Sequence, residues 1–393
     1  MRPPPPRSGI LCGPDRKTSL VATVLLIGIA GTIGQLLAES LHREGHRVLG
    51  ASRDPELARI RLADHPAGDE VELRQLPASS ATSGDLAVLV AEADVVVNAA
   101  GAAGGLGIRL ADAAVRAGRP LLDVEPEQPH IAAVFDGHHL DASAANVALV
   151  PGAGLQHAIG DALVALAAAT VALPAEAHVA YTFPDRGATL ARASAGRRRS
   201  AAEALGHPVE SLVRGDRTDE HPGEARRLAW FPRPVGPSHA AAIGGGEVRS
   251  VPSHLPELRT VRTYLAVPTW RAELLQAAAN LARYDRTRRM VARRLERDRR
   301  AFGPAVRRTT RWGCVAEVEG ADGVARAWAY GHDPYALTAA TVAVLADAVL
   351  AAAGGDGPAG VLAPSQVLDP RELLDRLTER TDARWSRKVP DRG

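Results

Sequence analysis

Residues 21–54 read VATVLLIGIAGTIGQLLAESLHREGHRVLGASRD. An apolar run, Val21–Ile27, enters a glycine turn, Gly28-Ile29-Ala30-Gly31-Thr32-Ile33-Gly34. Behind the turn, Ile33, Leu36, Leu37 and Leu41 share one helical face, and Gly45 follows as a C-terminal cap. A second apolar run starts at Arg47. Strand, glycine turn, helix and strand in this order form a βαβ unit that binds a dinucleotide. The first glycine permits the tight turn, the second lets backbone approach a phosphate, and the third lets helix pack on strand. Unpaired amides at Thr32, Ile33 and Gly34 then face the diphosphate from a positive helix end.

The second run ends Gly50-Ala51-Ser52-Arg53-Asp54. An acidic side chain at this strand end marks a cofactor with a free ribose 2′-hydroxyl. Here Ser52 and Arg53 stand instead, and a guanidinium pairs with a 2′-phosphate. NADP(H) is therefore the expected cofactor. Asp54, followed by Pro55, reads as the N-cap of the next helix.

Four more short apolar runs follow with helical stretches between them: Val71–Leu76, Asp94–Ala99, Leu121–Val124 and Val147–Val150. This alternation predicts an α/β, Rossmann-type, doubly wound parallel sheet over residues 19–150. The fourth run ends in small residues, Asn98-Ala99-Ala100-Gly101, which let a cofactor pass close to backbone. Asp123, ending the fifth, either faces the nicotinamide or caps the next element.

After Pro151 the pattern changes. Residues 155–172 read as an alanine-rich helix, with His157 at its solvent-facing start. Residues 177–184, 227–231 and 258–266 read as strands, and 269–302 as a basic helical region. Residues 311–319 and 323–330 flank an Ala-Asp-Gly turn and read as a hairpin. Asp333 caps a helix with Pro334 at its first position. The expected organisation is a proline-rich leader at 1–18, the nucleotide domain, a second α/β (α+β) substrate domain at 151–332, and C-terminal helices at 333–380 that return to the first domain.

Composition sets outer bounds. The chain has 393 residues, 46% hydrophobic and 23% charged, which is globular rather than disordered. Net charge is only +2, and the basic clusters lack interleaved aromatics, so nucleic acid is not an expected partner. Of the 47 basic residues only Lys17 and Lys388 are lysine, both near the ends, which argues against Schiff-base chemistry. Cys12 and Cys314 are too few for a disulfide framework and point to a reducing, cytoplasmic compartment. The run after Arg16-Lys17 superficially resembles a secretory signal, but the glycine fingerprint makes it a first strand. Asp161 and Asp347 interrupt the two long alanine-rich stretches, so no membrane span is expected. His130, His138 and His139 lack a ligand spacing, and no metal is expected.

Three catalytic candidates stand out. His157 can donate a proton, Asp161 one turn on can orient it, and Arg186 can clamp a carboxylate. Tyr335 is a further donor candidate, more simply read as packing. No Tyr-x-x-x-Lys pair and no Gly-x-Ser-x-Gly elbow is present. Arg197-Arg198-Arg199, and Arg283, Arg286, Arg288, Arg289, Arg293, Arg294, Arg297, Arg299 and Arg300, suit either a solvated face or the docking of an acidic acyl carrier protein.

In this order and spacing, Gly28–Gly34, Asn98–Gly101, Leu122-Asp123 with Glu127, Val150–Gly154, Asp161, Arg186-Gly187 and Asp333–Thr338 resemble the saccharopine dehydrogenase family over residues 22–377. The resemblance implies an NADP-binding Rossmann domain, a second α/β domain and redox chemistry on a C=N, C–N or C=C bond. Family members include saccharopine reductases and trans-acting enoyl reductases of polyketide pathways. The sequence departs from the family at Ala102-Ala103 (for Pro-Phe), at Pro126 (for Gly), and at Gly154-Leu155-Gln156-His157 (for Gly-Phe-Asp-Ser). These positions surround the expected nicotinamide pocket, so a relative's substrate does not transfer. The expected function is an NADPH-dependent reductase of a small metabolic or secondary-metabolite intermediate. The alternatives are an enoyl reductase on carrier-bound acyl chains and a non-catalytic NADP sensor. Self-association as a homodimer is a further partner expectation.

Overall fold

The computed structural model describes residues 21–390 except 79–80, 102–104, 185–197, 199–206, 269–272, 274–275, 278–279, 282–283, 285, 288–289, 291–292, 294–302, 354 and 356. The proline-rich leader, Cys12, Arg186-Gly187, Ala102-Ala103 and most of the basic helical region lie outside the described residues. Of the two arginine clusters, only Arg198, Arg286 and Arg293 fall within them.

All six apolar runs of the first half become strands of one parallel sheet: β1 (Thr23–Ile27), β2 (Arg47–Ser52), β3 (Glu72–Gln75), β4 (Val95–Asn98), β5 (Leu121–Asp123) and β6 (Ala148–Pro151). Their order is β6-β5-β4-β1-β2-β3, which places the topological switch point between β1 and β4. Both faces of the sheet's centre are covered, so β1, β4, β5 and β6 carry mostly apolar runs rather than alternation, whereas β3 (ELRQ) is partly exposed. The covering helices are α1 (Thr32–Arg43), α2 (Pro55–Leu62), α3 (Ser83–Val90), α4 (Leu106–Ala117) and α5 (Gln128–Ala144). Asp54 caps α2 by accepting from Leu57 N at 2.9 Å, and Thr82 and Asp85 cap α3 reciprocally.

The chain then leaves through α6 (Gly160–Ala168) into a nine-stranded mixed sheet. Its strands are β7 (Glu176–Thr182), β8 (Val209–Val213), β9 (Asp216–Glu220), β10 (Arg226–Trp230), β11 (Pro237–Ala242), β12 (Thr260–Ala266), β13 (Arg311–Gly320), β14 (Gly323–His332) and β16 (Arg384–Lys388). β7 runs parallel to β12 and antiparallel to β13, and β13 and β14 form the expected hairpin. The intervening β15 (Gly360–Val361) belongs to the first sheet, where it pairs parallel with β6.

The expected helix over 155–172 is shorter than its pattern suggests. Residues Leu155–Ile159 form a wide, broken turn in which His157 takes φ +98°, and regular helix begins only at Gly160. The helix Pro334–Ala352 begins at Asp333, whose carboxylate accepts from Ala336 N at 3.0 Å. Among the described residues it alone is long and apolar enough to cross a membrane, but most of it is buried and it packs along α1. At its far end Asp347 bonds His46 Nε2 at 2.9 Å and meets Arg380, which also reaches Glu44 at 3.1 Å. The C-terminal helices are thereby fastened to the nucleotide-binding half.

Candidate nucleotide site and strand-end seam

The glycine loop joins β1 to α1 at the switch point. Gly28 has φ +87°, and a Cβ there would lie 2.6 Å from Ala100 N at the end of β4. A Cβ on Gly34 would lie 2.3 Å from the Gly28 carbonyl oxygen. Gly31 differs: a Cβ there would meet only Gly28 O, at 3.2 Å, so this side of the loop is open. No side chain caps α1, leaving the amides of Thr32, Ile33 and Gly34 at its start. Arg61, on α2, donates to Ala30 O at 2.9 Å and braces the loop, a role the sequence did not signal.

At the end of β2, Ser52 Oγ donates to Asp54 O at 3.0 Å. The Arg53 backbone carbonyl accepts from Gln75 Nε2 at 3.0 Å, while its exposed guanidinium has no partner among the described residues. Asp54 is occupied as a helix cap. Among the described residues the free charged group at this strand end is therefore a cation, which matches a phosphorylated ribose.

At β4 and β5 the polar side chains turn inward. Asn98, fully buried, accepts from Ala100 N at 3.1 Å and donates to Asp123 Oδ2 at 3.0 Å. Asp123 also accepts from Glu125 N at 2.9 Å and pairs with His130 Nε2 at 2.9 Å. The Asp123 carboxylate ties β4, β5 and α5 together. Burial alone would depress the His130 pKa. The Asp123 charge and hydrogen bond, helped by Glu125, outweigh burial and raise it. Gly107 at the start of α4 is required here, because a Cβ would lie 2.4 Å from His130 Cε1. Ala99 N donates to Ile27 O at 2.8 Å, and Gly101 turns the chain away with φ +81°.

His157 does not face solvent, contrary to expectation; it is 1% exposed. Its Nδ1 lies 3.1 Å from Gly152 O and its Nε2 2.8 Å from Ser250 Oγ. Asp161 does not touch His157 directly. Ser250, 3.2 Å from Asp161 Oδ1, stands between them, and His254 Nε2 bonds the same oxygen at 2.9 Å. Ser365 N holds the other oxygen of Asp161 at 2.9 Å. Burial would raise the Asp161 pKa, but the charges of His254 and His157 and these hydrogen bonds lower it to about 2. His254 is held above its ordinary value: burial opposes this, and Asp161 and Glu257 prevail. Beside this group, Tyr181 OH accepts from His157 N at 2.8 Å and donates to Glu247 Oε1 at 2.6 Å.

Ser250, His254 and Glu247 sit on the helix Glu247–His254, which follows Gly244-Gly245-Gly246. A Cβ on Gly246 would lie 2.8 Å from His157 Cδ2, and one on Gly245 2.3 Å from Thr263 Oγ1. This glycine run was the available sequence signal for the second half of the site. Gln128, at the start of α5, bonds Gly245 O at 3.0 Å and Glu210 O at 2.8 Å, joining the two sheets beside it.

A family model for the saccharopine dehydrogenase NADP binding domain matches residues 24–151. Over residues 24–151 the chain is thus similar to that family's nucleotide domain. The oxidoreductase shares its fold with apo saccharopine dehydrogenase (L-Glu forming) from Saccharomyces cerevisiae, at 15% identity and a TM-score of 0.60, over 93% of this chain and 99% of that one. Matches to a short-chain dehydrogenase from Streptomyces avermitilis (18% identity, 34% of this chain and 65% of that one) and to the Pseudomonas aeruginosa RhlG/NADP complex (16% identity, 34% and 73%) have TM-scores of only 0.27 and 0.28. No curated protein matches the chain. NADP is the cofactor of the matched domain, and the open side of Gly31 together with the free Arg53 guanidinium fits it.

Proposed function

We propose that this NADP-dependent oxidoreductase reduces a C=N bond of a small molecule, with an enoyl C=C bond as the second reading. The carrying observation is the pair of an open diphosphate cradle at Gly31 and an unpartnered guanidinium at Arg53. NADPH, when bound, supplies hydride. The protein's task is then orientation. Gly28, Gly31 and Gly34 bring backbone to the diphosphate, and Arg53 selects the 2′-phosphate. The ends of β4, β5 and β6 support the nicotinamide half at the carboxyl edge of the sheet.

The imine reading stands first because the protein of the same fold is named for saccharopine and forms L-Glu, a C–N substrate and product. The enoyl reading is favoured by Arg286 and Arg293, both exposed and without partners among the described residues, which suit docking of an acidic carrier.

The test is loss of reduced-nicotinamide absorbance with two panels. One pairs amines with 2-oxo acids, and the other offers enoyl thioesters free and carrier-bound. Turnover on the first panel supports the imine reading. Turnover on the second alone replaces it with the enoyl reading. NADPH binding with no turnover on either refutes both.

A further inference from the structure

Six arginines lie between Gly28 and Leu76. Most of them are matched by a carboxylate: Arg43 meets Glu39 at 2.7 Å, Arg47 meets Glu72 at 2.6 Å, Arg59 meets Glu56 at 3.9 Å and Arg74 meets Glu92 at 2.8 Å. Arg53 and Arg61 are exposed and have no carboxylate partner among the described residues. Both follow the same strand. Arg53 stands at the end of β2, and Arg61 in the last turn of α2, the helix into which β2 leads.

Arg61 is nevertheless fixed in place. Its Nη1 donates to Ala30 O at 2.9 Å, and Gln35 Nε2 on α1 donates to the Arg61 carbonyl oxygen at 3.4 Å. The Ala30–Gly31 peptide is thereby held at both ends, because Gly31 N donates to Gly28 O at 2.9 Å while Ala30 O receives the guanidinium. A neutral carbonyl takes up one N–H and cancels no charge. Most of the guanidinium's donors, and its whole charge, are left for another acceptor.

This side chain bridges α2 to the glycine loop. In a dinucleotide fold the diphosphate rests on that loop and the adenosine ribose meets the end of β2. The adenosine half of the cofactor therefore lies between the two elements that Arg61 joins. A phosphate monoester carries a charge of about −1.5 to −2 near neutral pH. Arg53 alone leaves about half of that uncompensated, and a second guanidinium balances it.

We propose that Arg61 is a second specificity-determining residue for the cofactor: anchored on Ala30 O, it joins Arg53 in binding the ribose 2′-phosphate. This rests on the nucleotide reading above. NADH lacks that phosphate, so the contribution of Arg61 falls on NADPH alone.

Calorimetric titrations of NADPH, NADH and 2′-AMP into wild type, Arg61→Ala and Arg61→Gln test this. Arg61 is exposed, so both substitutions leave the fold intact. Glutamine keeps an N–H for Ala30 O but carries no charge, which separates the brace from the phosphate contact. Both variants should bind NADPH and 2′-AMP about tenfold more weakly, the loss of one charged hydrogen bond, with NADH nearly unchanged. Equal losses of NADPH and NADH would assign the side chain to the loop alone and overturn the proposal. NADPH affinity at the wild-type level in either variant would overturn it too. Both of these results leave the nucleotide reading standing. No NADPH binding by folded wild type overturns the nucleotide reading, and this one with it.

Discussion

Gly34 sits directly beneath Gly28, with room between them for no more than a hydrogen: a Cβ on Gly34 would lie 2.3 Å from the Gly28 carbonyl oxygen and 2.8 Å from Ile29 Cα. Gly31, three residues earlier, has φ −83° and an open side. The two glycines should therefore fail differently. Gly34→Ala forces backbone apart and should cost about 2 kcal/mol or more of stability. Gly31→Ala should fold with a loss under about 1 kcal/mol, yet weaken NADPH about tenfold or more, because its Cβ occupies the phosphate approach. Urea unfolding and calorimetry on both variants separate these outcomes. Equal stability losses would contradict the division of labour.

Arg53 and Asp54 are adjacent but serve different ends. Arg53→Ala should weaken NADPH about ten- to a hundredfold, since a charged hydrogen bond is worth about 1.5–3 kcal/mol, and should leave NADH nearly unchanged. Asp54→Ala removes the cap on α2, costing about 1 kcal/mol of stability, without altering the preference between the nucleotides. Equal losses of NADPH and NADH affinity in Arg53→Ala would remove the phosphate role.

The first sheet could be read from the sequence because its central strands are buried on both faces. Val95–Asn98 announces itself as an apolar run whatever its neighbours are. The glycine fingerprint is equally local. His157 could not be read that way. Residues 155–172 have a helical pattern, but the ring enters the interior only because Gly152 and Gly246 make room and Ser250, far along the chain, receives it. Asp123 was ambiguous for the same reason, since its partners are Asn98 and His130 on other elements. β9 (DRTDE) and β16 (RWSRK) are mostly exposed strands whose charged residues hide any alternation.

Asp123 and His130 form a buried pair whose removal has a defined sign. The His130 pKa is raised in the folded protein, so its contribution is complete below the unfolded value near pH 6.5 and is lost as pH rises through the folded value. Asp123→Asn leaves only the smaller Glu125 charge to oppose burial, so the His130 pKa falls and this slope reverses. Removing one partner of a buried pair should also cost about 3–5 kcal/mol. Urea unfolding from about pH 6 to 8 reads both effects. An unchanged slope would show that the pair is not ionised.

His178 provides the opposite case. It lies on β7 beneath Arg227 and Arg262, and burial followed by these two cations lowers its pKa to about 3. The folded protein then holds His178 neutral where the unfolded chain takes up a proton, so stability falls as pH drops below about 6.5 and levels off only near the folded value. At pH 5 the loss from this one group is about 2 kcal/mol. His178→Gln carries no such proton and should lose that much less between about pH 8 and 5, whatever its stability at the upper end. The two unfolding curves should therefore converge or cross on the acid side. Parallel curves would mean that His178 gains its proton in the folded protein as readily as in water, and that Arg227 and Arg262 do not set the field on this face of the sheet.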